Sequence, residues 1–267
     1  LQKSLQNTWK LIGSLLCNSL KIDKILRSKL AKVFAVGVGP GSPKYVTENV
    51  KEIIENCDII IGYKYTLKTI ERWTKGKEIH EITMNNQEES YQKILPNLKD
   101  RTLVIPFTGD VNFSESEVVD RLIEIFGKVE IIPGISSIQV AASRAQVPLD
   151  KSKVITMHVT TPIEDKKLEL QKALIDGFSV VLVPRPWPKQ PDKHFMPSEI
   201  AFYLKENDFD TSQMKVHVFE AITTEDETSF VGTVKDLEGR EFSDLSVMVF
   251  NQTSLDSYMN YRWQWEN

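Results

Sequence analysis

Residues 33–43 read VFAVGVGPGSP. Val33-Phe34-Ala35-Val36 is an unbroken apolar run, which predicts a buried strand, and Gly37, Gly39 and Gly41 predict a turn into a helix starting near Tyr45. A loop without side chains leaves backbone N–H groups where a ligand can approach closely. The dinucleotide fingerprint Gly-x-Gly-x-x-Gly does not fit, because its last position is held by Ser42 and Pro40 removes a donor that a pyrophosphate would use. Asp58 precedes its strand, whereas a ribose-binding carboxylate follows one. Taken alone, the loop is also compatible with a plain strand-to-helix turn.

Outward from this loop, strand and helix patterns alternate. Helices are predicted over 45–56, 65–73 and 87–98, with strands over 59–61 and 78–82 between them. A strand over 103–107 runs into Thr108-Gly109-Asp110, and Ser114 or Ser116 caps a helix ending at Phe126. A strand over 129–132 breaks at Pro133-Gly134, after which Ser136 or Ser137 caps a helix through Arg144. Such alternation implies a mostly parallel sheet with helices on both faces. Pro148-Leu149-Asp150 reads as a linker to a second alternating unit, with strands over 154–157 and 180–183 around a helix over 164–175. Residues 184–197 are proline-rich and predict a loop. A helix over 198–206 and hairpin-like strands over 216–219, 229–234 and 245–250 complete the unit. The expected class is α/β, with an N-terminal domain over 32–149, a C-terminal domain over 150–252 and a ligand cleft between them. Ligands of open parallel sheets bind beyond the carboxyl ends of the strands, and three such ends carry special residues: 37–43, 108–113 and 133–137.

The chain has 267 residues, 41% of them hydrophobic, enough to bury a sizeable core. Its net charge of −4 is uneven: residues 1–32 hold seven Lys or Arg against one Asp, and the remainder holds 26 basic against 36 acidic residues. A body this acidic argues against a nucleic-acid partner. Residues 1–31 read as an amphipathic appendage, and residues 253–267 as an aromatic tail with Tyr258, Tyr261, Trp263 and Trp265. The apolar segment 11–20 is too short to span a membrane, and no small-residue cleavage site follows it, so neither a membrane span nor a secretory signal is expected. Cys17 and Cys57 form no metal or disulfide pattern, which fits a reducing, cytoplasmic setting. His80, His158, His194 and His217 are scattered without ligand spacing, and no protein-bound metal is expected.

Together, VGVGPGSP, CDIIIGYKYTL, TGDVNF, PGISSIQVAASRAQVP and FEAITTEDETSFVGTVKDL resemble the tetrapyrrole methylase family over about residues 33–251. The resemblance implies an S-adenosylmethionine-dependent methyltransferase that binds its cofactor between two α/β domains and releases S-adenosylhomocysteine. It also implies a tetrapyrrole substrate and a homodimer. Within the family the likeness is to the branch that methylates C5 of cobalt-precorrin-7 in cobalamin synthesis, where a separate C15 methylase is a possible partner. Carried over by position, Pro40 and Gly41 border the substrate trough and the cofactor. Gly109, Asp110 and Phe113 lie against the methionine end, Ser136 and Ser137 hydrogen-bond it, and Val183, Ala221 and Ile222 flank the adenosine. Lys64, Tyr65 and His158 fall on the substrate side.

Asp110 and neighbouring backbone N–H groups supply the acceptors and donors that a zwitterionic methionyl group needs. Methyl transfer from a sulfonium is a displacement that demands alignment, and no catalytic base is nominated. Relatives usually carry Gly-Asp-Pro-Gly where this chain has Gly109-Asp110-Val111-Asn112. The C5 branch typically shows Gly-Arg-His-Leu after its second strand, where this chain has Tyr63-Lys64-Tyr65-Thr66-Leu67, and the Gly and Arg that usually follow the matched His158 are Val159 and Thr160. Lysine offers a point charge in place of a guanidinium fork. Structural roles stay open at this level: Asp110 as a turn residue, the serines as caps, His158 as a buried strand-end histidine, and Lys64 and Tyr65 as a solvated helix start. Other functions remaining open are another tetrapyrrole or diphthamide-pathway methylase and a cofactor-binding protein without turnover; the misplaced third glycine disfavours a nicotinamide oxidoreductase.

Overall fold

The computed structural model describes residues 32–113, 115–187 and 194–252. The appendage over 1–31, the aromatic tail, Ser114, Pro188 and Pro191 lie outside the described residues. The first sheet is fully parallel. It comprises β1 (Lys32–Gly37), β2 (Ile59–Tyr63), β3 (Glu78–Ile82), β4 (Thr102–Phe107) and β5 (Glu130–Ile132), in the order β3-β2-β4-β1-β5. β1 sits inside it, which is why its apolar run is unbroken. Val33 and Ala35 join one core with Ile59, Ile61, Leu103 and Ile105, while Phe34 and Val36 face another with Ile60 and Val104. Helix α1 (Glu48–Glu55) covers the second face through Val50 and Ile54, and α2 (Lys64–Ile70) covers it through Ile70. Helices α3 (Gln87–Ile94) and α4 (Ser116–Phe126) cover the first through Tyr91, Ile94, Val119, Leu122 and Phe126. The helices that follow the adjacent strands β1 and β4 thus leave on opposite faces. That arrangement opens a crevice at the carboxyl ends of these two strands.

Helix α5 (Ser137–Arg144) is short and rich in alanine. Of the two serines that the sequence offers, Ser136 is the cap: its Oγ accepts from the Ile138 N–H at 3.3 Å, and its own N–H donates to Gln139 Oε1 at 2.8 Å. Although α5 follows the first sheet in the chain, its buried face packs on the second. Ile138, Ala141, Ala142 and Ala145 meet Val181, Phe219, Val247 and Val249, the small side chains allowing close approach.

The second sheet contains β6 (Ser152–Thr156), β7 (Ser179–Val183), β10 (Lys215–Glu220), β11 (Thr228–Thr233) and β12 (Ser246–Phe250), in the order β11-β10-β12-β7-β6. Only β6 and β7 pair in parallel, and the hairpin-like end predicted from sequence makes the remaining pairs antiparallel. Helices α6 (Glu164–Ile175) and α7 (Pro197–Glu206) cover its other face through Leu170, Leu174, Ile200 and Leu204.

Several predicted boundaries shift. The helix expected over 45–56 is a 3-10 turn, Pro43–Tyr45, followed by α1 from Glu48, because Thr47 caps the Val50 N–H and Val46 is extended. The helix expected over 65–73 starts one residue earlier at Lys64 and tightens to a 3-10 turn at Glu71–Trp73. The helix expected over 87–98 ends at Ile94, and Pro96 lies in a 3-10 turn beyond it. Glu115, not a serine, occupies the cap position of α4 and makes no side-chain cap bond; Ser116 is already helical. The region expected to be loop contains a short hairpin, β8 (Arg185–Pro186) with β9 (His194–Phe195). Cys57 is buried, and burial pushes its thiol up to about 11, which makes it unreactive. Among the described residues no helix is long and apolar enough to cross a membrane, and no group of three or more metal-ligating side chains occurs.

Candidate active site

The three glycine-bearing strand ends meet as backbone against backbone. Gly39 and Gly109 exchange two hydrogen bonds, of 3.2 and 2.7 Å, and the Val38 N–H donates to the Phe107 carbonyl at 2.8 Å. A Cβ on Gly37 would stand 2.6 Å from both Gly109 O and Gly134 N, and one on Gly134 would stand 2.4 Å from Gly109 O. The Val38, Gly39 and Gly109 N–H groups are therefore taken up by backbone carbonyls. The glycines exist so that the exits of β1, β4 and β5 can touch. Gly109, at φ +73°, lies against the start of α5, where an added Cβ would be 3.8 Å from Ser136 Cα and 3.9 Å from Ser137 N.

The exit of β10 closes onto the same loop from the second sheet. Thr223 Oγ1 accepts from the Ser42 N–H at 3.1 Å, and a Cβ on Gly41 would strike the Thr224 methyl at 2.6 Å. Ala221 and Thr223 hold left-handed φ values of +46° and +74°, which for β-branched threonine is a strained conformation. Glu227 sustains it: one carboxylate oxygen accepts from the Thr223 N–H at 2.6 Å, and the other pairs with Arg144 of α5. Thr69 of α2 ties in the third side by donating to the Gly41 carbonyl at 3.1 Å.

The structure brings most of the sequence-derived residues around this junction. Phe113, Ile135 and Val183 are partly buried against the cluster that contains Ile222 and Ile138. Asp110 is partly exposed, and its Oδ1 accepts from the Asn112 N–H at 2.9 Å and from Asn112 Nδ2 at 3.0 Å. Both bonds fall on one oxygen. Pro40 and Gly41 form the loop facing Ile222, Thr223 and Thr224. Lys64 and Tyr65 are exposed in the first turn of α2, with Tyr65 at 69%. His158 lies at the β6 exit, where burial pulls its pKa down against the opposing charge of Asp244, and it meets Trp187 edge-on at 5.0 Å between ring centres.

Sequence reasoning missed a polar group beside the crevice. Glu115 stands two residues beyond Phe113, partly buried, and burial pushes its carboxyl up to about 7. Burial, with the Glu115 charge adding to it, raises Tyr63 to about 12, while the Tyr63 hydroxyl donates to Gln87 Oε1 at 2.7 Å. Tyr91, fully buried nearby, is raised by burial as well, and its hydroxyl has no partner. An acid in a run of serines carries no burial signal, so only packing exposes its role. The native state holds the Glu115 proton up to about pH 7, whereas an unfolded chain releases it near 4.5. Stability should therefore fall as pH rises through that window, by about 3 kcal/mol, and Glu115→Gln should flatten the slope in urea unfolding followed at several pH values. A concavity of about 500 Å³ near Phe209, Met214 and Phe250 lies at the opposite end of the second sheet and plays no part here.

Residues 32–238 match the tetrapyrrole (corrin/porphyrin) methylases. The chain is 29% identical over 222 residues to a probable cobalt-precorrin-7 C(5)-methyltransferase of Methanocaldococcus jannaschii, covering 82% of this chain and 97% of that protein. Its fold is similar to the crystal structure of the methyltransferase CobJ, with a TM-score of 0.66 and 19% identity, covering 83% of this chain and 94% of the other. It is similar also to the precorrin-6Y methylase (cbiE) of Archaeoglobus fulgidus, with a TM-score of 0.58 and 19% identity, covering 84% and 98%. A parallel sheet with touching glycine exits, closed by a mixed sheet, agrees with a match that spans most of the chain, and the chain belongs to the tetrapyrrole methylase family of methyltransferases.

Proposed function

We propose that this protein transfers a methyl group from S-adenosylmethionine to C5 of cobalt-precorrin-7. The observation that carries the reading is the alignment with the Methanocaldococcus jannaschii relative, which covers nearly all of that protein. The residues at the junction suit such a cofactor. The Asp110 oxygen not engaged by Asn112 is an acceptor for the methionyl ammonium, and the α5 start beside Gly109 offers donors for its carboxylate. Phe113, Val183 and Ile222 make an apolar slot of the kind an adenine requires, with Ala221 at its edge and Ser136 and Ser137 at the α5 end. The sulfonium supplies the activated methyl group.

The work of the chain is then alignment. The glycine junction fixes the loops that hold the donor, and the exposed Lys64, Tyr65 and the β6-exit His158 are assigned to the acceptor side. When bound, the donor would supply its methyl group to the acceptor carbon, which these residues would hold in line with it. Cytoplasmic location, a homodimer, a separate C15 methylase partner and the division into domains at residue 149 belong to the same proposal. Light scattering tests the dimer.

Calorimetric titration with S-adenosylhomocysteine, run beside NAD, tests the cofactor. Mass spectrometry after incubation with cobalt-precorrin-7 tests the acceptor, with a gain of one methyl group expected. Methylation only of a different ring sinks the C5 assignment, and cofactor binding without transfer to any ring sinks turnover.

A further inference from the structure

Arg185 is 2% exposed, at the end of the second sheet that faces the glycine junction. Its Nη2 donates to the carbonyls of Thr160 and Thr161 at 3.1 and 3.0 Å, and its Nε is buried with no partner. Among the described residues no carboxylate forms an ion pair with it. A guanidinium cannot shed its proton to escape this situation, and two neutral carbonyls do not cancel a buried charge. The surroundings are aromatic: the Trp187 ring lies 5.8 Å from the guanidinium carbon, and His158 meets Trp187 edge-on.

The location is the inter-sheet crevice. Thr160, whose carbonyl Arg185 holds, donates its hydroxyl to Glu117 Oε2 of α4 at 2.6 Å, so the β6 exit is fastened to the helix that begins just beyond Phe113 and Glu115. The floor on the first-sheet side carries acidic Glu115 and Glu117, and the second-sheet wall carries Arg185, the one buried cation among the described residues.

We propose that Arg185, with Trp187 and His158, forms a binding subsite for a carboxylate arm of the tetrapyrrole acceptor. It deepens the function proposed above and rests on it. The macrocycle face meets the Trp187 wall, and the arm reaches the guanidinium at its unpartnered Nε–H, a charge-assisted hydrogen bond. A polar arm of the wrong charge would leave that cation uncompensated, so the same residue selects acidic over amidated rings.

The test uses the full chain and three probes: uroporphyrin III, a polycarboxylate tetrapyrrole; cobinamide, a corrin with amide arms; and S-adenosylhomocysteine. Arg185→Gln is expected to weaken uroporphyrin binding about tenfold or more and to lessen its salt dependence. S-adenosylhomocysteine affinity, cobinamide binding and the thermal midpoint should stay as in the unsubstituted protein, and Arg185→Lys should recover part of the uroporphyrin affinity. Unchanged uroporphyrin affinity in Arg185→Gln overturns the subsite, as does a protein that binds no uroporphyrin at all. Loss of all ligands together with a lowered midpoint also overturns it, since Arg185 would then only brace the Thr160 loop. Arg185-dependent uroporphyrin binding in a protein that ignores S-adenosylhomocysteine supports the subsite while removing the methyl donor.

Discussion

Gly134→Ala is expected to separate the three strand exits and abolish binding of S-adenosylhomocysteine. The new methyl carbon would lie 2.4 Å from the Gly109 carbonyl and 2.5 Å from that of Gly37. Both neighbours are backbone, so no side chain can swing aside, and relief requires moving the β4 exit from the β5 exit. Overpacking of this kind costs about 3 kcal/mol, which lowers the melting midpoint of a domain this size by roughly 6–12 °C. Gly76→Ala provides the comparison. Its φ of +79° strains any side chain, but nothing lies within 4 Å, so about 1 kcal/mol and unchanged binding are expected. Scanning fluorimetry and calorimetry read both effects. A Gly134→Ala protein that melts within about 2 °C of the parent and still binds would mean that contact between the exits does not hold the site.

Asp110→Ala should weaken S-adenosylhomocysteine about 30-fold, near 2 kcal/mol, the range for a hydrogen bond to a charged group. Alanine alone does not separate two roles, because Asp110 also closes the turn through the Asn112 N–H. Asp110→Asn does: its side-chain oxygen still accepts from that N–H, and only the charge facing the ammonium is lost. If charge recognition dominates, the two variants bind comparably badly. If Asn restores most of the affinity, the residue works by shaping the turn, and the ammonium must find its acceptor elsewhere.

Much of the framework was legible because it is local and periodic. The apolar runs at 33–36 and 103–105 mark strands covered on both faces, and the serine pair Ser136-Ser137 announces the start of α5. The boundaries near residues 46, 70 and 95 shifted because a one-turn choice between 3-10 and α geometry depends on caps and on tertiary packing. The glycines were found, but the mutual bonding of the Gly39 and Gly109 backbones was not. A loop rich in glycine looks the same in sequence whether its N–H groups await a ligand or are taken up by a neighbouring carbonyl.

By itself, the sequence determined the α/β alternation, the three special strand exits and the residues that carry the family resemblance, since each is written in the order and spacing of neighbouring residues. Only the tertiary structure decided that α5 packs on the second sheet, that Thr223 is strained against the glycine loop, that Glu115 holds its proton to about pH 7, and that Arg185 is buried with no acid paired to it among the described residues. Those properties belong to pairs of groups far apart in the chain: burial and charge pairing are set by what folds over a residue, and nothing beside it in the sequence records that.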